Sequence, residues 1–198
     1  MQPTDIERYS RQIIVAGGIA QERLSAARIV MAGDAADIGP VLDYLAGAGV
    51  GRINLRLTGD WASREHLMAH TRDLNRDVIV EADVPLDPQF TAGLFLIVGS
   101  TDALAMARTL CAEAHESPTI VARLDRNARI AIIPAPPDAA AAELKLFAPF
   151  SHHDGNAAFV AMVAAAEVFK LLIGEQAPSN VSVIEFDGYQ TRVASAPS

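Results

Sequence analysis

Between Arg28 and Leu57 the apolar positions change their period twice. Ile29, Val30, Met31 and Ala32 form a continuous run that stops at Gly33, and from Pro40 the positions Val41, Leu42, Leu45 and Ala48 recur at helical spacing. Ile53, Leu55 and Leu57 then alternate. This predicts a strand, a polar turn, a helix and a second strand. Gly47, Gly49 and Gly51 end the helix, because a residue without a Cβ takes positive φ without strain. The first turn of such a βαβ unit is where a nucleotide-binding fold places a phosphate.

The same reading extends along the chain. Residues 2–14 predict a short helix and residues 20–27 a second one leading into the strand at Arg28. A helix from about Ser63 to Leu74, with Ser63 as its cap, yields to a strand over Val78 to Ala82. Leu94 to Val98 is an unbroken apolar run of the kind found in buried parallel strands. A helix over Ala103 to Glu116 follows, then strands over Thr119 to Ala122 and Arg129 to Ile133 that suit neighbouring positions. Ala157 to Ile173 is helical and apolar nearly all round, which predicts burial on several sides or against another subunit, and Gly174 caps it. Val181 to Phe186 and Tyr189 to Val193 flank Asp187-Gly188, a two-residue hairpin signal. The expectation is an α/β fold: a Rossmann-like, mostly parallel sheet flanked by helices, closed by a C-terminal antiparallel hairpin. One domain is expected, with a helical segment over 1–27, a core over 28–124, and strands with the buried helix over 125–198.

Composition narrows the partners. With 24 acidic against 16 basic residues the formal net charge is -8, which disfavours a nucleic-acid partner electrostatically. The single cysteine, Cys111, excludes an intrachain disulfide and a thiolate zinc site. The longest apolar segment is interrupted by Glu167 and Lys170, and no apolar signal core opens the chain. The expectation is a soluble cytoplasmic protein with no membrane contact.

The first turn is built against its apparent purpose. A phosphate-binding turn needs glycines for close backbone approach and bare N–H groups at the helix start. Here it reads Gly33-Asp34-Ala35-Ala36-Asp37-Ile38-Gly39. Ala35 and Ile38 stand where the second and third glycines belong. Asp34 and Asp37 bring negative charge to the phosphate position, where carboxylates satisfy the same N–H groups and dipole.

Several stretches in order resemble the ThiF/MoeB/HesA family of ubiquitin-activating-like adenylyltransferases, over nearly the whole chain. Arg8-Tyr9-Ser10-Arg11-Gln12 is similar to the family's opening RYxRQ segment, and Pro40 to Gly51, PVLDYLAGAGVG, to the helix and turn after its glycine-rich loop. Arg72 to Ala82, Thr101-Asp102, and Val168 to Gly174 with Ile184 to Arg192 resemble its later segments. The resemblance implies ATP at the glycine-rich loop and second strand end, magnesium on Asp102, and an arginine from the opening segment (Arg8 or Arg11) reaching a neighbouring subunit. It also implies attachment of AMP to the C-terminal carboxylate of a small ubiquitin-like or sulfur-carrier protein.

The departures are systematic. Only Gly33 of the three loop glycines is kept, Leu57 falls where the ribose-binding aspartate belongs, and the SNLxRQ segment with its following lysine has no counterpart in Thr58 to Arg76. Phosphoryl chemistry depends on such clamps, and losing one costs on the order of three decades in rate. The expected protein is therefore a degenerate member that does not adenylate and needs no cofactor. It would act as a binding or scaffold subunit, as a homodimer or beside an active homologue. Gly33 and Asp102 are then a vestigial ATP and magnesium site, with Arg8, Arg11 and Asp102 as the catalytic candidates. The alternative is an adenylyltransferase with a rearranged pocket that uses ATP and magnesium.

The bland readings are specific too. Asp102 suits a helix N-cap, and Arg8 and Arg11 suit a solvated face or an ion pair. No metal site is expected: His152-His153-Asp154 fits a polar loop before a helix better than a metal site. Cys111 fits a small core residue, and Trp61 fits either an exposed contact or a lid on the sheet edge.

Overall fold

In the computed structural model, the described residues are Tyr9, 17–58, 60–83, 93–99, Thr109, 117–124, 128–135, 157–187 and 190–195. Apart from Tyr9 and Thr109, the helices predicted over 2–14 and 103–116 lie outside them.

The chain forms helix α1 (Gly18–Ala26), strand β1 (Arg28–Asp34), helix α2 (Ala35–Gly47), strand β2 (Arg52–Thr58), helix α3 (Trp61–Leu74) and strands β3 (Ile79–Ala82), β4 (Leu94–Gly99), β5 (Thr119–Arg123) and β6 (Arg129–Ile133). Helix α4 (Ala157–Ile173) and strands β7 (Ser182–Asp187) and β8 (Gln190–Ser195) complete it. All strands join one eight-stranded sheet in the order β3-β2-β1-β4-β5-β6-β7-β8. The pairs from β3 through β5 are parallel, and those from β5 through β8 are antiparallel. This is the expected Rossmann-like α/β architecture with its antiparallel end.

Strand alternation divides the sheet into two faces. Ile29, Met31, Ile53, Leu55, Leu94, Leu96, Ile120 and Ile130 share one face with the apolar sides of α2 and α4, forming the main core. Helix α4 packs on α1, α2 and the strands β4 to β6, so its apolar circumference is largely used inside this chain. Phe159 meets Phe186 edge to face, with ring centroids 5.8 Å apart.

Four boundaries differ from expectation. Helix α2 begins at Ala35, so most of the supposed turn is its first turn and Pro40 lies inside the helix. The reason is Asp34, whose carboxylate accepts from the Ala36 N–H (2.9 Å) and starts the helix before the proline. Helix α3 is capped by Asp60 rather than Ser63: Asp60 accepts from the Ser63 backbone N–H (2.9 Å) and its hydroxyl (2.6 Å). Those bonds hold the Asp60 carboxyl below the usual range. Of Gly47, Gly49 and Gly51, only Gly49 takes positive φ (85°); Gly47 still belongs to α2, and Gly51 is required because a Cβ there would strike the Ser25 carbonyl. In the hairpin, Asp187 pairs with Gln190, one residue beyond the expected position.

Candidate functional site

The sheet's topological switch lies between β1 and β4: β1 continues to β2 on one side, and β4 leads away on the other. In open α/β sheets, ligands bind outside the carboxyl ends of the strands at such a point. Here that position is formed by Gly33 and Asp34, the first turn of α2, Leu57 and Val98.

Gly33 has φ 148°, and a Cβ on it would run into the Val98 carbonyl of β4. The same position would be 3.4 Å from Ile38 Cδ1. Ile38 is fully buried, so its side chain is folded inward against the β1–β4 junction rather than leaving a bare turn. Gly33 is thus demanded by packing between neighbouring strands. Leu57, in register with Gly33, is 4% exposed and presents only hydrocarbon.

Charge at the turn is negative. Asp34 is engaged as the cap, and Asp37 follows in the first helical turn. Burial, and then the neighbouring Asp34 carboxylate, push the Asp37 carboxyl above its ordinary value of 3.8. The folded chain therefore keeps this proton at a pH where the unfolded chain has lost it, and stability falls as pH rises from 3.8 through the raised value. Asp37→Asn is expected to be more stable than the parent at neutral pH, with the two converging in acid. Urea denaturation over a pH series measures the gap.

Of the residues singled out in the sequence, Gly33 is placed at the switch point. Arg8, Arg11, Asp102, Cys111, His152, His153 and Asp154 lie outside the described residues. Among the described residues, no three His, Cys, Asp or Glu side chains come together as a metal site would require. Trp61 is 68% exposed. It lines an open groove of about 630 Å³ with Arg64, Met68, Arg72, Ala82 and Asp83. Arg64 bonds Asp83 (3.0 Å) across it. The groove lies beyond β2, away from the switch point.

The sequence reading missed Asn75, which is 2% exposed. Its amide donates to the Tyr9 hydroxyl (2.7 Å) and to the Ala46 carbonyl (2.7 Å), and its oxygen accepts from the Asp77 N–H (3.1 Å). Tyr9 also stacks against Gly49, where a Cβ would touch its ring. Tyr9 is thereby held near the amino ends of β2 and β3, opposite the switch point.

Comparisons with known proteins place this arrangement. No family model matches the chain. E. coli MccB solved with ATP superposes with a TM-score of 0.67 at 16% identity, over 96% of this chain and 70% of that one. PaaA does so with a TM-score of 0.64 at 15% identity, over 98% and 84%. The fold is therefore that of these Rossmann-like proteins. HesA of Trichormus variabilis (strain ATCC 29413 / PCC 7937) is 38% identical over 85 residues, which span 42% of this chain and 29% of HesA. Over those 85 residues the chain is similar to HesA, of which it spans less than a third, and over nearly its whole length its fold is like that of MccB and PaaA. No helix among the described residues is long and apolar enough to cross a membrane.

Proposed function

We propose that this chain is a degenerate relative of the ThiF/MoeB/HesA adenylyltransferases that does not adenylate, and that it acts as a binding or scaffold subunit. The observation that carries the reading is the inward-packed Ile38 behind Gly33, with Asp34 already holding the Ala36 N–H of the first helical turn. A triphosphate at that position would need the space of Ile38 and the donor taken by Asp34. It would also meet the charge of Asp37. Leu57 offers no acceptor to a ribose hydroxyl. Gly33 then remains for packing alone. Asp102, Arg8 and Arg11 remain as vestiges of the nucleotide and inter-subunit sites, and the reading needs neither ATP nor magnesium. The partner is a second ThiF-like chain, identical or active, with a ubiquitin-like or sulfur-carrier protein as the further candidate.

Titration calorimetry with ATP and magnesium is expected to give no binding tighter than millimolar, and ATP–pyrophosphate exchange is expected to stay at the buffer rate. Micromolar, magnesium-dependent affinity would overturn the reading. The second reading, a working adenylyltransferase with a rearranged pocket, draws on relatives whose structures include MccB with ATP and with MccA. It requires that Asp102→Ala abolish exchange.

A further inference from the structure

Strand β3 ends the sheet, with β2 on one side and, among the described residues, no strand on the other. Its odd-numbered residues turn their main-chain groups inward: the Ile79 N–H donates to the Gly51 carbonyl (3.0 Å) and the Asp83 N–H to the Leu55 carbonyl (2.9 Å). Main-chain groups of successive strand residues point to opposite sides, so Val80 and Ala82 aim theirs away from the sheet. The Val80 carbonyl is taken by Arg72 Nη2 (3.2 Å). The Val80 N–H and both main-chain groups of Ala82 have no partner among the described residues. Such an open row is a template for one more strand.

The open edge runs into the groove at Trp61. Trp61, Met68 and Arg72 recur along one side of α3, and two contacts give the groove its direction. Arg72 reaches Val80 and Arg64 bonds Asp83, so the groove passes from the middle of β3 to Trp61 beyond the strand's end. From Trp61 to Arg72 the helix rises about 16 Å, which about five residues of extended chain also cover. The walls are largely apolar and open: Ala69 is exposed like Trp61, while Met68 and Ala82 are half-buried. Arg64 and Asp83 neutralise each other, which leaves the exposed Glu65 as the carboxylate in the groove without an ion pair. An exposed tryptophan beside an unpaired strand edge supplies both parts of strand recognition, main-chain bonds for affinity and an apolar seat for alternate side chains.

We infer that β3 accepts an extended, apolar segment of a partner polypeptide as one more strand, with alternate side chains of that segment on Met68 and Trp61 and a basic residue meeting Glu65. A helix in the same groove would leave the outward groups of Val80 and Ala82 unmet. A second copy of β3 would bring two Arg72 guanidinium groups, each beside its own Val80 carbonyl, toward one shared axis, and like charges facing across strands oppose pairing. With a net charge of -8, the chain favours a basic or neutral segment over an acidic one. The inference rests on the reading of the chain as a binding subunit and deepens it by giving the partner's chemistry.

The test uses the full chain and a decapeptide that alternates valine with threonine around one lysine. Trp61 is the chain's only tryptophan, so its emission reports the groove directly. The peptide is expected to shift that emission to the blue, and calorimetry to give saturable binding that Ala82→Pro weakens at least about tenfold. Proline at an outward edge position removes that N–H and leaves the ladder to β2 in place. Trp61→Ala, on an exposed side chain, is expected to weaken binding comparably and gives the same reading if the proline variant folds poorly. The same decapeptide with alternate amides N-methylated and an amphipathic helical peptide are the other arms. No binding of the strand peptide at millimolar concentration, equal binding of the N-methylated or helical peptide, either folded variant binding like the parent, or β3-dependent dimerisation without peptide binding would each overturn it. Nucleotide titration of the same sample separates the two ideas: magnesium-dependent ATP binding sinks the non-adenylating reading while leaving a β3-dependent peptide site standing.

Discussion

Gly33→Ala is expected to abolish cooperative folding at room temperature, or to lower stability by at least about 3 kcal/mol if a folded population survives. The added methyl would sit inside the Val98 carbonyl, a backbone atom of the adjacent parallel strand that cannot move without breaking the β1–β4 ladder. The φ of 148° adds strain for any residue with a Cβ. A glycine kept to admit a phosphate would behave differently: its alanine variant would fold normally and lose only ligand affinity. Circular dichroism during a urea titration distinguishes the two, and a normally folded variant would remove the packing explanation of Gly33.

The next largest effect is expected at Asn75. Asn75→Ala leaves the Ala46 carbonyl, the Tyr9 hydroxyl and the Asp77 N–H without their partner, at a site that is 2% exposed. Each lost bond to a buried group costs on the order of 1 kcal/mol, so a loss of about 2–4 kcal/mol is expected. Asn75→Asp, nearly the same shape, removes the two donated bonds and keeps the acceptor, and should be almost as damaging. Because Tyr9 is held through this amide, both variants should also release the Tyr9 ring, seen as a changed Tyr9 ring resonance in the folded protein. An unchanged Tyr9 resonance in folded variants would show that Tyr9 is held by other means.

Much of the architecture was legible in the chain. The change from a four-residue apolar run to helical spacing to alternation gave β1, α2 and β2 in order, and the continuous run at Leu94 marked a central parallel strand correctly. The start of α2 was not legible, because two glycines, two aspartates and a proline within eight residues have the composition of a loop. Only the Asp34 carboxylate bond and the inward turn of Ile38 show that helix wins there. At α3, Ser63 was chosen over Asp60 because both are good caps three residues apart, and the deciding bonds run from one to the other.

Asn75 was invisible for a different reason. Two of its partners are 66 and 29 residues away, and no local pattern of spacing encodes them. Of the candidate site, the odd chemistry of the turn was readable from composition, whereas the packing role of Gly33 required the neighbouring strand.

Arg23, near the end of α1, donates to the carbonyl of Ile173 at the end of α4, across 150 positions of chain (2.5 Å). During synthesis on the ribosome, α1 has no such latch until the chain through Ile173 has emerged. Its docking is therefore a late event, and a nascent chain arrested before α4 should carry an unlatched amino-terminal helix however well its early strands have paired.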